Sequence, residues 1–342
     1  MLNGKGVLLI SPRTFGYEKA ISDSLRVRGA KVWFIDERPS NDFFIKGLIR
    51  VNANLIRLRI EQYYKTEIAR IDKEAKIDYV LLISPEAVNE VILMMIQNRF
   101  RNAEMILYMW DAIRNKTGTN NIKILPFFDR ILSFDKEDCT AFPRMKFRPL
   151  FFLPEFSALP KNENPLYDIS FIGTIHSDRY AVCSKAKEIA TSLSLNVFFY
   201  MYLHDKKLYW YSKFMNPKMK GSNISDFYFM PLPMQKVLDV IGKSRCLMDI
   251  QHPFQTGLTI RTIETLGARR KLLTTNSKIK DYDFYSESNV FCFDRDHVDF
   301  SRDFFIKPGQ VVDTDIYGRY SINGWIKDIF GFDRLEENLI ST

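Results

Sequence analysis

The sequence predicts an α/β fold in two domains, each a doubly wound parallel sheet, and three observations carry that expectation. Short apolar runs alternate with helical segments in both halves of the chain. Proline recurs at Pro143, Pro149, Pro154, Pro160 and Pro165, a spacing through which no long helix can run. The length of 342 residues is more than twice that of a typical domain, so each half can bury its own core.

In the first half Gly6–Ile10 reads as a buried strand, Tyr17–Arg28 as a helix closed by Gly29, and Lys31–Asp36 as the next strand. A long helical region follows from about Phe43 to Ala75, with Leu48, Val51, Leu55, Leu58 and Ile68 at helical spacing. Tyr79–Ser84, Glu104–Trp110 and Arg130–Phe134 read as strands, and Glu86–Arg101 as a helix between the first two. Strands separated by helices imply right-handed crossovers and a parallel sheet. A linker is expected near Glu155 to Asn164, giving domains 1–155 and 156–342. The rhythm then resumes: strand Ile169–Gly173, helix Tyr180–Leu193, strand Asn196–Tyr202, and a polar, aromatic insertion around Lys206–Asn223. Helix Pro233–Lys243, strand Cys246–Ile250, helix Thr259–Leu266 and strands Lys271–Thr275 and Val290–Phe293 follow, and Ile322–Phe330 closes the second domain as an amphipathic helix.

Ligands bind such sheets outside the carboxyl ends of the strands, which directs attention to the loop after Cys246–Ile250. There Gly257-Leu258-Thr259 leads into a helix carrying Arg261 and Glu264, and the next strand ends in Thr274-Thr275-Asn276. Amides and the positive dipole end of a helix starting near Gly257 would face an anion. Arg261 could reach a phosphate and Glu264 could accept from ribose hydroxyls, since i and i+3 share a face; the alternative is a solvated surface pair. His252 beside this loop is a candidate for the donor phosphates or an ordinary surface histidine. Gly173 and Thr174 end the first strand of the second domain, where a glycine lets a ligand approach the backbone. His176, Asp178 and Arg179 follow, with Asp178 near a helix N-cap.

Three segments, Asp168–Thr174, Gly257–Asn276 and Tyr320–Trp325, resemble the spore-coat CgeB-like group and related bacterial capsule and lipopolysaccharide transferases, which are similar to GT-B enzymes. The resemblance spans roughly the second half of the chain. It implies two Rossmann-like domains facing a cleft, an N-terminal acceptor domain and a C-terminal domain holding a nucleotide-sugar donor. It also implies metal-independent sugar transfer without a cofactor, to a surface glycan or a lipid-linked glycan acceptor. Many retaining GT-B enzymes carry a second glutamate eight positions after the first, and Leu272 stands there, so the stereochemistry stays open. In this reading Arg13, in a loop without a GxGxxG or Walker pattern, borders the cleft; otherwise it is a solvated turn arginine. Asp111, at the end of an N-domain strand, is the candidate general base or else a turn cap.

A formal charge of +8 and pI near 9.1 suit a polyanionic partner: donor phosphates, or peripheral contact with an anionic membrane. No helix-turn-helix, RRM or zinc-finger pattern is present and the basic charge is dispersed, so no nucleic-acid partner is expected. Cys139, Cys183, Cys246 and Cys292 have neither zinc nor disulfide spacing. With an apolar run of only four residues near the start and no run of membrane-spanning length, a cytoplasmic location, peripheral at the inner membrane face, is expected. Asp281 and Asp283 form a DxD-like pair in a loop and are read as incidental, so no metal is assigned. A GT-B-like epimerase or phosphorylase, and a non-catalytic sugar-nucleotide or polyanion binder, are the rival functions.

Overall fold

Twelve strands form two parallel six-stranded sheets in a computed structural model that describes residues 2–40, 42–115, 121–161 and 163–332. The chain divides into two units, Met1–Leu150 with Ile322–Thr342, and Phe151–Ser321.

The first unit contains β1 (Gly6–Ser11), β2 (Lys31–Asp36), β3 (Tyr79–Ile83), β4 (Glu104–Met109), β5 (Arg130–Ser133) and β6 (Met145–Phe147) in the order β2-β1-β3-β4-β5-β6. Every residue of β1 is buried, as a central parallel strand covered on both faces requires. The order reverses between β1 and β3, so the loops after these two strands flank a topological switch point. Behind it, Glu37 is fully buried and its Oε1 accepts from the backbone N–H groups of Glu86 at 2.7 Å, of Ala87, and of Val88 at 3.3 Å. That capture holds 86–88 as loop, and the helix begins only at Glu90, where the Asn89 side chain caps Ile92 N. Burial pushes the Glu37 carboxyl up to about 7 against those amide bonds.

The expected long helical region is three pieces. Helix Phe43–Asn52 stops where the Asn52 side chain accepts from Asn54 N, a 3₁₀ turn spans Ala53–Ile56, and helix Arg57–Ala69 follows. The break shifts the register, so Ile45, Ile49, Ala53, Ile60, Tyr64 and Ile68 face the core while Val51, Leu55 and Leu58 are exposed. A single 3.6-residue period cannot be carried across a 3₁₀ turn.

The second unit contains β7 (Tyr167–Thr174), β8 (Val197–Tyr202), β9 (Phe227–Tyr228), β10 (Ser244–Asp249), β11 (Lys271–Thr274) and β12 (Val290–Cys292) in the order β12-β11-β10-β7-β8-β9. Its switch point lies between β7 and β10. Both sheets are parallel throughout, which makes each unit Rossmann-like. The insertion expected around Lys206–Asn223 contains a helix, Lys206–Met215, and the short edge strand β9 follows it.

The boundary expected at 155/156 falls at 150/151, and the helix Ile322–Phe330, expected in the second domain, belongs to the first unit. Its apolar face explains the return: Trp325 is fully buried with its ring 5.1 Å from Tyr108, Phe330 lies 5.0 Å from Tyr79, and Asp328 pairs with Arg148 at 2.6 Å. Residues 333–342, the end of the expected domain, lie outside the described residues.

Candidate functional site

The loops after β7, β10 and β11 meet at the switch point of the second unit, and β10 supplies their anchor. Asp249, the last residue of β10, is buried, and its Oδ2 accepts from the hydroxyls of Thr259 at 2.7 Å and Thr262 at 2.8 Å. Thr259 in turn caps the helix Ile260–Gly267 by accepting from Thr262 N. The helix therefore starts at Ile260 rather than near Gly257, and the Thr259 hydroxyl, expected on the donor, is held by Asp249. Gly257 and Leu258 are likewise buried, so the Leu258 side chain belongs to the core and only backbone groups of this turn are available to a ligand.

The turn is fixed from β11. Asn276 Nδ2 donates to the carbonyls of Thr256 at 3.1 Å and Gly257 at 3.4 Å, and Gln255 Nε2 donates to Gly257 O at 3.2 Å. From the other side, Arg179 donates to Ile250 O at 2.7 Å and Thr174 O at 2.9 Å. Arg295 joins Asp178 at 2.9 Å to Gln251 O at 3.2 Å. Two arginines thus tie the β7 loop to the β10 loop. Gly173 sits in this frame for packing, since a Cβ would come 2.9 Å from the Phe171 ring, and Thr174 beside it is exposed.

Arg261 and Glu264 form an ion pair at 2.6 Å with side chains only 20% and 5% exposed, which excludes the solvated surface pair. The Nε and Nη1 of Arg261 are buried and meet no acceptor with hydrogen-bond geometry, the Glu264 contact being close but misdirected. Nη1 nonetheless lies 2.6 Å from Glu264 Oε2, so the guanidinium is held within the chain as a charge at the head of the helix. Magnitudes favour the arginine over the helix end as the anion holder. A dipole contributes about 0.3–1 kcal/mol and Asp249 already offsets part of it, whereas a charged hydrogen bond contributes about 1.5–3 kcal/mol.

His176 and His252 lie side by side with ring centroids 5.4 Å apart. Burial first, then Arg179 and the neighbouring ring, push His176 down to about 4, and burial followed by Arg179 and Arg295 lowers His252 as well. Both rings are therefore neutral at neutral pH, and His252 would serve an anion as a hydrogen-bond donor rather than as a cation. Its Nδ1 accepts from Phe254 N at 3.3 Å, which leaves the proton on Nε2.

In the first unit Arg13 pairs with Asp36 at 3.2 Å and lies over the Phe34 ring at 5.8 Å, beside the β1–β3 switch point. Asp111 is exposed just beyond β4, with Ser84 Oγ 3.4 Å from its Oδ2. Two residues on, the Ile113 N–H donates to Asp138 Oδ2 at 3.0 Å. Asp283 is held by Tyr320 at 2.7 Å and Arg319 at 2.8 Å. Among the described residues no group of three or more His, Cys, Asp or Glu is placed to hold a metal ion. Asp249 and Arg295 had no functional signal in the sequence, because their partners lie 10 to 117 residues away, and Asn276 was legible only as the end of the Thr274-Thr275-Asn276 strand.

No protein-family model matches the chain and no curated protein matches it in sequence. Several solved structures share its fold. The catalytic domain of starch synthase IV from Arabidopsis thaliana, bound to ADP and acarbose, is 9% identical with a TM-score of 0.54 over 99% of both chains. An alpha-glucosyltransferase in complex with UDP and a mismatched 13-mer DNA is 12% identical with a TM-score of 0.53, over 85% of this chain and 87% of that one. Acinetobacter baumannii MurG is 8% identical with a TM-score of 0.52, over 96% of this chain and 99% of that one. At these identities the likeness is one of fold, and the chain is built as two Rossmann-like domains of the GT-B type.

Proposed function

We propose that the protein is a glycosyltransferase that takes a sugar from a nucleoside-diphosphate donor held by its second unit. The observation that carries this reading is Arg261: a largely buried guanidinium ion-paired to a buried carboxylate at the head of a helix beside a Rossmann switch point. A GT-B fold shared with proteins solved with UDP and with ADP supports a nucleotide as the ligand. Arg261, Nε2–H of His252 and the first-turn amides of the helix would hold the diphosphate, and Glu264 would orient the ribose and Arg261 together.

In the transfer the acceptor hydroxyl oxygen bonds to the anomeric carbon, and the bond from that carbon to the phosphate oxygen breaks with its electron pair. Preorganised donors stabilise the departing diphosphate. If the anomeric centre inverts, Asp111 takes the hydroxyl proton. The acceptor is a surface glycan or a lipid-linked glycan, and the location cytoplasmic.

Incubation with a panel of nucleotide sugars should release nucleoside diphosphate slowly from one of them without added acceptor. Transfer and this hydrolysis are expected to survive EDTA, because arginine and amide donors would do the neutralising. Loss of activity in EDTA with recovery in manganese would contradict that and return Asp281 and Asp283 to consideration. Binding without any turnover would favour a non-catalytic sugar-nucleotide binder.

A further inference from the structure

We infer that the helix Lys206–Met215 is a docking surface for an anionic lipid bilayer, an inference independent of the donor site. The helix is amphipathic in the reverse sense. Tyr209 is buried against Phe227 at 5.3 Å, while Leu208, Trp210, Tyr211, Phe214 and Met215 are turned to solvent. Trp210 is 60% exposed, Tyr211 64% and Phe214 88%. Residues 208, 211 and 215 follow the i, i+3, i+7 spacing and 210 and 214 the i, i+4 spacing, two adjoining stripes about 110° apart that together cover the outer half of the helix. Isolated exposed apolar residues are ordinary, but five on one short helix form a patch that calls for a partner.

Charge selects which partner. From His204 to Lys220 the chain carries five lysines, Lys206, Lys207, Lys213, Lys218 and Lys220, against one acid, Asp205. That acid is spent inside the helix, its Oδ1 accepting from Leu208 N at 2.7 Å. Lys206 and Lys207 are exposed at the start of the helix, and Lys218 and Lys220 just beyond its end. A face of tryptophan, tyrosine, phenylalanine and methionine flanked by lysines matches the boundary between acyl chains and acidic headgroups, where aromatic rings sit and lysines meet anionic lipid. Among the described residues no helix is long and apolar enough to cross a membrane, so the contact is with the bilayer surface.

The test is sedimentation of the whole protein with vesicles of phosphatidylcholine, alone or mixed with phosphatidylglycerol. The expected result is binding to the mixed vesicles and little to phosphatidylcholine alone. Lys206→Ser/Lys207→Ser should weaken binding about twenty-five-fold, at about five-fold per lysine. Trp210→Ser/Phe214→Ser should weaken it at least about tenfold, through lost apolar insertion. The lysine variant should keep the parental melting temperature, because its altered side chains are exposed, while Trp210→Ser/Phe214→Ser gives up the 5.1 Å contact of Trp210 with Tyr209 and is compared below its own melting temperature. No binding to the acidic vesicles overturns the proposal, as does unchanged binding in both variants. Concentration-dependent dimerisation abolished by Trp210→Ser/Phe214→Ser, without vesicle binding, would assign the face to a second copy and overturn it too. Loss of vesicle binding only in Leu55→Ser/Leu58→Ser would move the membrane surface to the first unit and likewise overturn it.

Discussion

Asp111→Asn is expected to lower turnover by about 10²–10⁴-fold while donor affinity stays nearly unchanged, if Asp111 is the general base. Asparagine keeps the size and most of the hydrogen bonding of the carboxylate and cannot accept a proton. Stability should move little. Asp111 is exposed, and its contact with Ser84 Oγ at 3.4 Å is at the long limit of a hydrogen bond. Turnover, donor affinity and melting temperature on this variant separate the roles. A folded variant with near-normal turnover removes Asp111 from the mechanism.

The second large effect is at Glu264, where stability and binding must be read apart. Removing one partner of a buried ion pair costs about 3–5 kcal/mol, because the remaining charge stays buried, and the partial exposure of Arg261 places Glu264→Ala at the low end of that range. The affinity for a nucleoside diphosphate should fall by a further about 1–3 kcal/mol through lost hydrogen bonds to ribose. Glu264→Gln retains the shape and an acceptor oxygen, so it should recover part of the stability while donor affinity remains reduced. A melting temperature that falls with calorimetric affinity unchanged on the folded protein would make Glu264 a structural partner of Arg261 and nothing more.

The strands were the legible part of the fold because a buried parallel strand is a continuous apolar run, as in Gly6–Ile10, which falls within the fully buried β1. Where packing departs from a simple pattern, the sequence misleads. Leu55 and Leu58 fit a helical stripe yet face solvent, since the Asn52 cap and a 3₁₀ turn reset the register. The helix Lys206–Met215 was unreadable for the opposite reason, its apolar face being outward. The last helix showed its amphipathic face, but a face does not name the sheet it will cover. At the site, the Arg261–Glu264 spacing is local and was therefore visible. The groups that fix its surroundings were not: the Asp249 clamp, the Asn276 clasp and the Arg295 bridge exist only once β7, β10 and β11 lie side by side. Thr259, read from sequence as part of the turn before the helix, is the residue that caps it.

Sugar transfer as proposed requires a nucleoside diphosphate bound at the head of the helix Ile260–Gly267. Calorimetric titration of the protein with UDP, GDP, CDP, ADP and dTDP, repeated on Arg261→Ala, tests that claim most directly. Measurable binding of at least one of the five is expected, with an affinity lower by about 10–150-fold in the variant, the loss of a charged hydrogen bond of about 1.5–3 kcal/mol. Binding of none of them, or equal affinity in a folded Arg261→Ala protein, would contradict it.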